Sequence, residues 1–253
     1  MSAVRVHNLT KSFEGKLAVA SIDLEVQSGS LFGLIGPNGA GKTTSLKMIT
    51  ALLRPDAGTI EVDGINVWAD PVAAKARFGV LPDDLRLFER LSGMELLSYI
   101  GRLRRLDVEV IAIRVPELLQ VLGLYDDRGK LVADYSQGMR KKIGLAAAML
   151  HAPRVLFLDE PFESVDPVSA HTIQQLLRRY CAGGGTVVFS THVLDVVERL
   201  CDALAMINRG RVVAQGTMAE VRGEHRLEDV FVRLVGGDTY SGADLSWLDQ
   251  PTT

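Results

Sequence analysis

The 253-residue chain contains 28 lysine and arginine residues against 31 aspartate and glutamate residues, which gives a formal net charge of −3 at pH 7. Hydrophobic residues make up 47% of the chain and charged residues 23%, a composition that is ordinary for globular proteins. This balance provides no global basic field, so we expect no nucleic acid as partner.

Two further features limit the class of protein. Cys181 and Cys201 lack C-x-x-C spacing and lie at apolar positions of helical patterns, so we expect packed thiols rather than a disulfide framework or a metal site. Residues 1–6 lack the apolar stretch of a signal peptide, and no run of about 18 apolar residues follows. We therefore expect a cytoplasmic protein, for which another chain must supply the membrane part of any membrane process.

The N-terminal part of the chain has β patterning. Apolar residues alternate with polar ones over residues 3–35, and turn residues interrupt the pattern at 14–15 and 28–29. Residues 59–67 predict a hairpin with Asp63-Gly64 as its turn. These segments indicate a flank of antiparallel strands.

The middle of the chain, over about residues 86–150, is predominantly helical in pattern. Periodic apolar positions predict helices over 94–106, 111–122 and 139–150. Pro116 interrupts the second of these, which indicates either a first turn or a kink at that point. We therefore predict that this segment is a helical insertion.

Strands and helices alternate beyond residue 153. We predict strands over 155–158 and 186–190, helices over 168–181 and 193–200, and a hairpin of strands 203–207 and 211–214 around 208–210. Such alternation implies a mainly parallel α/β core. Residues 233–253, which are rich in Gly, Asp, Ser and Thr, predict a flexible tail that includes Trp247.

The stretch Gly-Pro-Asn-Gly-Ala-Gly-Lys-Thr at residues 36–43 fits G-x-x-x-x-G-K-[ST], the phosphate-binding loop of nucleotide triphosphatases. An apolar strand over 31–35 precedes it, and a helix over 44–53 follows it, which is the context that the motif requires. Lys42 can reach the β- and γ-phosphates, and the Thr43 hydroxyl can bind Mg²⁺. The residues expected to contact the nucleotide here are Gly36, Pro37, Asn38, Gly39, Ala40, Gly41, Lys42, Thr43 and Thr44.

Polar residues follow two other apolar strands. Asp159 and Glu160 end the strand over 155–158, where Asp159 can hold Mg²⁺ and Glu160 can act as a general base. His192 follows the strand over 186–190 and can contact the γ-phosphate, although a lone histidine is usually structural. In isolation, the Asp-Glu pair would be a solvated strand end.

A further anion site is predicted at the start of the helix over 139–150. Ser136 and the amide of Gly138 lie at its N-terminal end, which favours negative charge. The simpler interpretation is that Ser136 is only an N-cap.

The order of these motifs resembles that of the ATP-binding cassette ATPases, the nucleotide-binding subunits of ABC transporters, over residues 3–232. The resemblance implies an α/β fold, with a P-loop NTPase (RecA-like) core, an antiparallel β subdomain and a helical subdomain at about 86–150. The glutamine loop, signature, aspartate loop and switch histidine fall at Asp83, Tyr135–Met139, Asp166 and His192. Phe13 matches the aromatic residue that stacks on adenine, although a strand aromatic packed in the core is the alternative.

Three positions depart from the family pattern. Asp83 stands where the family has glutamine, Gln137 replaces the first signature glycine, and Ser164 replaces a glycine of the aspartate loop. An ionised Asp83 can bind Mg²⁺ or water but cannot donate a hydrogen bond. The acidic residue at 83, the signature and the segment 227–231 are similar to the exporter-type subfamily.

The resemblance also implies a mechanism. ATP would lie between the phosphate loop of one copy and the signature of a second, so we expect a dimer of identical chains, with Ser136 and Gly138 supplied by the opposite copy. Mg²⁺ would be held by Thr43, Asp159 and Asp83, and Glu160 would activate the attacking water. The segment 83–98 would contact an integral-membrane permease at the cytoplasmic face of the cell membrane.

Two alternatives remain open at this point. One is a cassette ATPase that acts on DNA or ribosomes without a membrane partner; such relatives usually carry two cassettes or a long coiled-coil insertion. The other is a regulatory cassette that binds ATP and hydrolyses it weakly or not at all. The intact Lys42, Asp159, Glu160 and His192 argue against the second alternative, whereas positions 83, 137 and 164 favour it.

Overall fold

The computed structural model describes residues 1–236, which form two β-sheets and nine α-helices. The strands are β1 (Ser2–Phe13), β2 (Lys16–Gln27), β3 (Leu31–Ile35), β4 (Ala57–Val62), β5 (Ile65–Asn66), β6 (Phe78–Leu81), β7 (Val155–Asp159), β8 (Thr186–Thr191), β9 (Ala203–Asn208) and β10 (Arg211–Thr217). The helices are α1 (Lys42–Ile49), α2 (Pro71–Arg77), α3 (Gly93–Leu103), α4 (Val108–Val121), α5 (Gln137–Met149), α6 (Pro167–Ala182), α7 (Leu194–Leu200), α8 (Met218–Arg222) and α9 (Leu227–Val235).

The smaller sheet has the strand order β2-β1-β4-β5, and all of its pairings are antiparallel. The predicted β patterning of residues 3–35 is confirmed, because alternate residues of β1 and β2 are buried. The hairpin turn between β4 and β5 is also confirmed. Asp63 and Gly64 adopt φ values of 49° and 76°, as a two-residue turn between right-twisted strands requires.

The larger sheet has the order β10-β9-β3-β8-β7-β6. Its five strands from β9 to β6 are parallel, and β10 pairs antiparallel at the edge. Successive residues of β7 face opposite sides. Leu156 and Leu158 pack in a cluster with the helices α3 to α7, whereas Val155 and Phe157 pack in a second cluster with α1 and the smaller sheet. The parallel sheet is therefore the central layer, which explains its continuous apolar runs.

Several element bounds differ from those predicted. Helix α1 ends at Ile49 rather than at residue 53, because Ala51 adopts a left-handed φ of 55°. Pro116 lies in the interior of α4, so its placement in a first turn is wrong. Helix α9 continues to Val235, beyond the expected start of the tail at 233, and the rest of that predicted tail, with Trp247, lies outside the described residues. Over residues 1–236, none of the helices is long and apolar enough to cross a membrane.

Candidate functional site

The phosphate-binding loop connects β3 to α1 at the carboxyl edge of the parallel sheet. Gly39 and Gly41 have φ values of 77° and 110°, a backbone region that favours glycine. A Cβ at Gly36 would lie 2.2 Å from the carbonyl oxygen of Ile207, so the loop packs directly against β9. The glycines of the motif therefore shape the loop itself.

The side chain of Lys42 is buried inside this loop. Its Nζ donates hydrogen bonds to the carbonyl oxygens of Gly36 and Pro37, at 2.7 and 3.3 Å. Burial lowers the pKa of Lys42, and the nearby carboxylates of Glu160 and Asp159 raise it. Lys42 thus places a cation beside two acids, inside a loop that presents backbone N–H groups.

Asp159 ends β7 and faces the first turn of α1. The Thr43 hydroxyl donates to Oδ1 of Asp159 at 3.3 Å, and the Ser190 hydroxyl donates to the same oxygen. Strand register creates this contact, because Asp159 pairs with Ser190 across β7 and β8. Ser190 was not predicted to belong to the site. Its signal is a hydroxyl near the carboxyl end of a strand that is buried along its whole length.

Glu160 adopts a left-handed φ of 48°, which turns the chain sharply after the strand. Its backbone N–H donates to the Ser190 hydroxyl at 3.1 Å. Its Oε1 lies 3.1 Å from Nδ1 of His192, and the Glu160 side chain is 13% exposed. With Nδ1 protonated, the histidine donates to the carboxylate, so the two side chains orient each other.

These segments enclose a cavity of about 410 Å³. It is lined by Ala18, Asn38, Gly39, Ala40, Gly41, Lys42, Thr43, Thr44, Asp83, Glu160, Glu163 and His192. The fold thus brings together loop, strand-end and histidine positions that lie up to about 150 residues apart. An apolar cavity of about 530 Å³ between α4, α5 and α6 contains none of the predicted site residues, so its size does not make it the chemical centre.

The donors predicted for Mg²⁺ are a hydroxyl and two carboxylates. Within residues 1–236, no three side chains of His, Cys, Asp or Glu form a ready metal cluster. Mg²⁺ in nucleotide sites is usually bound by one or two carboxylates together with phosphate oxygens and water. The Thr43–Asp159 contact fits that chemistry. Asp83 lines the cavity, and its Oδ1 also lies 3.7 Å from Nζ of Lys141.

Ser136, Gly138 and Phe13 do not line this cavity. The Ser136 hydroxyl accepts a hydrogen bond from the N–H of Met139 at 3.2 Å, so Ser136 is the N-cap of α5. Gly138 lies against the aspartate loop, where an added Cβ would be 3.0 Å from the carbonyl oxygen of Ser164. Phe13 is 46% exposed at the end of β1, so the alternative of a packed core aromatic is wrong.

The two cysteines are free, and their thiols pack in the interior. Burial raises the pKa of Cys181 to about 11 and raises that of Cys201 further. Both thiols therefore stay protonated near neutral pH, in agreement with the packing role predicted from the sequence.

Comparison with known proteins agrees with this geometry. Residues 19–163 match the family described as ABC transporter. The chain is 38% identical to the daunorubicin/doxorubicin resistance ATP-binding protein DrrA of Streptomyces peucetius, over 97% of this chain and 74% of that protein. It is 37% identical to the Nod factor export ATP-binding protein I of Cupriavidus metallidurans, over 87% of this chain and 73% of that protein. A solved structure of an ATP-binding subunit of an ABC transporter superposes with a TM-score of 0.86 at 29% identity, covering 92% of this chain and 99% of the other.

Proposed function

The chain belongs to the ABC transporter family and hydrolyses ATP, and we propose that it powers export through a separate membrane permease. The observation that carries this proposal is the convergence of Lys42, Glu160 and His192 around one cavity, beside which Asp159 contacts Thr43. Relatives named for drug resistance and for Nod factor export support the direction of transport. We assign residues 3–232 to a single cassette, in which residues 86–150 form a helical subdomain.

The proposed chemistry is attack of water on the γ-phosphate of ATP. The loop over residues 36–44 binds the phosphates, and Lys42 offsets their charge. Thr43 and Asp159, with Asp83 at the edge of the site, would hold Mg²⁺, which supplies further neutralisation of the phosphate oxygens. Glu160 accepts the proton of the attacking water, and His192 holds Glu160 and contacts the γ-phosphate.

The site is proposed to be complete only in a dimer of identical chains. Ser136 and Gly138 lie outside the cavity of their own chain, at the N-terminal end of α5. In the dimer they would meet the nucleotide bound to the partner copy, whereas Phe13 would stack on the adenine of the nucleotide that its own chain binds. Closure on ATP and opening after hydrolysis would then supply the mechanical step.

Contact with the permease is assigned to the segment 83–98, at the cytoplasmic face of the membrane. Phe88 lies in this segment and is 54% exposed. Its ring meets that of Tyr99 edge to face, with the ring centroids 5.2 Å apart. An exposed aromatic pair of this kind suits a helix from a membrane partner, because aromatic residues are enriched at interfaces.

The experiment is purification of the tagged chain from detergent-solubilised membranes of its own host. We expect a protein with several membrane spans to co-purify and to change the rate of phosphate release from ATP. Phe88→Ala should weaken this association and leave ATP binding intact. Ile113→Ala, which alters an equally exposed apolar residue on α4, is the matched control. Full ATPase activity with no membrane partner, or association with ribosomes or DNA instead, would contradict the proposal.

A further inference from the structure

Asp83 is paired with Lys141, a residue that was not predicted to belong to the site. Asp83 follows β6, and its Oδ1 lies 3.7 Å from Nζ of Lys141 on α5. The Lys141 side chain is 10% exposed, whereas that of Asp83 is 49% exposed. Lysine is almost never buried this deeply unless it is paired, and Asp83 provides the partner.

Close packing of α5 on the segment after β6 brings the two residues together. A Cβ at Gly144 would lie 2.6 Å from the Leu85 side chain and 2.8 Å from that of Leu81. A Cβ at Gly79 would lie 2.0 Å from the carbonyl oxygen of Ala148. Lys141 is one helical turn before Gly144 and on the same face, so this approach directs its side chain toward Asp83.

Lys141 lies behind the nucleotide site rather than in it. A second cavity of about 300 Å³ is lined by both Asp83 and Lys141, together with Gln137 at the start of α5. Asp83 and Glu163 line this cavity and the nucleotide cavity alike. Asp83 therefore lies between the nucleotide cavity and Lys141, and the pair connects that cavity to α5, the helix that Ser136 caps.

The pair also reduces the net negative charge at the nucleotide cavity. The nucleotide cavity already contains the acids Glu160 and Glu163, and Asp83 adds a third negative charge. Like charges in one cavity repel each other, and they repel the phosphates. An ammonium directly behind Asp83 offsets this repulsion.

We propose that Lys141 is a positioning residue for ATP binding and hydrolysis, which neutralises Asp83 and holds it at the edge of the nucleotide cavity. This inference rests on the proposed ATP site. Because Lys141 belongs to α5, the position of Asp83 is tied to the helix whose N-terminus carries Ser136.

The test is a double-mutant cycle of Asp83→Asn and Lys141→Met, measured by equilibrium binding of ATP in EDTA. Lys141→Met leaves Asp83 unbalanced beside the phosphates and should weaken ATP binding by about fivefold or more at low salt, with a smaller effect at high salt. Asp83→Asn should strengthen ATP binding, because no carboxylate then offsets the charge of the Lys141 ammonium. The double variant should return to within about twofold of wild type, and Lys141→Arg should resemble wild type.

Lys142→Met is the matched control, since it removes the same charge from the next residue of α5. The Lys142 ammonium donates to the Ser169 hydroxyl at 3.3 Å and does not pair with Asp83. A merely structural Lys141 would lower the unfolding midpoint of Lys141→Met and leave ATP affinity unchanged. Equal affinities for the Lys141 and Lys142 variants, or a double variant that binds ATP as weakly as Lys141→Met, would overturn the inference. Failure of the wild-type chain to bind ATP would instead overturn the proposed function.

Discussion

Nδ1 of His192 lies 3.1 Å from Oε1 of Glu160, and this contact joins the ends of two neighbouring parallel strands. The two residues are 32 positions apart in the chain, so only the pairing of β7 with β8 brings them together. A hydrogen bond to a general base fixes the orientation of its carboxylate toward the proton that it accepts. The proposed hydrolytic step therefore depends most directly on this contact.

Glu160→Gln should abolish most hydrolysis and preserve ATP binding. Glutamine keeps the shape of the side chain but cannot accept a proton, and loss of a general base typically costs about 10²- to 10⁴-fold in rate. Phosphate release and equilibrium ATP binding measure the two effects separately. Glu163→Gln is the control, because Glu163 lines the same cavity and should lose far less activity. Wild-type turnover in Glu160→Gln would remove Glu160 from the role of base.

The phosphate loop offers a matched pair of glycine substitutions. A Cβ at Gly36 would lie 2.2 Å from the Ile207 carbonyl oxygen, so Gly36→Ala must displace backbone and should cost roughly 2–4 kcal/mol of unfolding free energy. Gly39 has a φ of 77° and no atom within 4 Å of an added Cβ. Gly39→Ala should therefore cost only the backbone strain, about 1 kcal/mol. Denaturant unfolding of both variants checks the order, and equal losses would contradict it.

His151 predicts a dependence of stability on pH. Its Nε2 lies 3.1 Å from the Phe78 carbonyl oxygen, and among the described residues its buried Nδ1 has no hydrogen-bond partner. Burial, with a further contribution from Arg104, lowers the pKa of His151 to about 4. The unfolded chain, with a histidine pKa near 6.5, binds the proton first. The free energy of unfolding should therefore fall as pH decreases from about 6.5 to about 4.

His151→Gln should reduce this fall, because an amide can still donate to the Phe78 carbonyl but does not titrate. After allowance for solvent screening, the difference should be on the order of 1 kcal/mol at pH 5. Urea unfolding at pH 7.5 and at pH 5 measures it. The exposed His171→Gln is the control, and it should follow the wild-type dependence. An identical loss of stability in wild type and His151→Gln would exclude His151 as the source.

Local motifs were the part of the molecule that could be predicted from sequence. The loop at 36–43 and the turn Asp63-Gly64 depend on residues that are neighbours in the chain, and each was found at the expected place. Contacts set by strand register or helix packing were not accessible in this way. Spacing alone gives no means to pair Asp159 with Ser190, or Asp83 with Lys141. Strand β6 was missed because its four residues are too short to show a period.

Ser136 lies outside the nucleotide cavity of its own chain, and this position leads to a test of the dimer. Ser136→Arg should disable the signature, and Lys42→Ala should disable the phosphate loop, so each variant alone should be inactive. In a mixture, a dimer with one chain of each kind has one site that combines an intact Lys42 with an intact Ser136. Random assortment makes half of the dimers mixed, so an equal mixture should regain about a quarter of the wild-type sites.

Phosphate release by the two variants, separately and after mixing, measures this recovery. Lys42→Ala mixed with the loop variant Gly36→Ala is the control, because both changes damage the same half of the site and no intact combination forms. Recovery in the first mixture alone requires that each site draws on two chains. If the variants are shown to assemble with each other and neither mixture recovers activity, Ser136 does not complete the partner's site. The hydrogen bond that the Ser136 hydroxyl accepts from the N–H of Met139 would then be sufficient reason for a serine at that position.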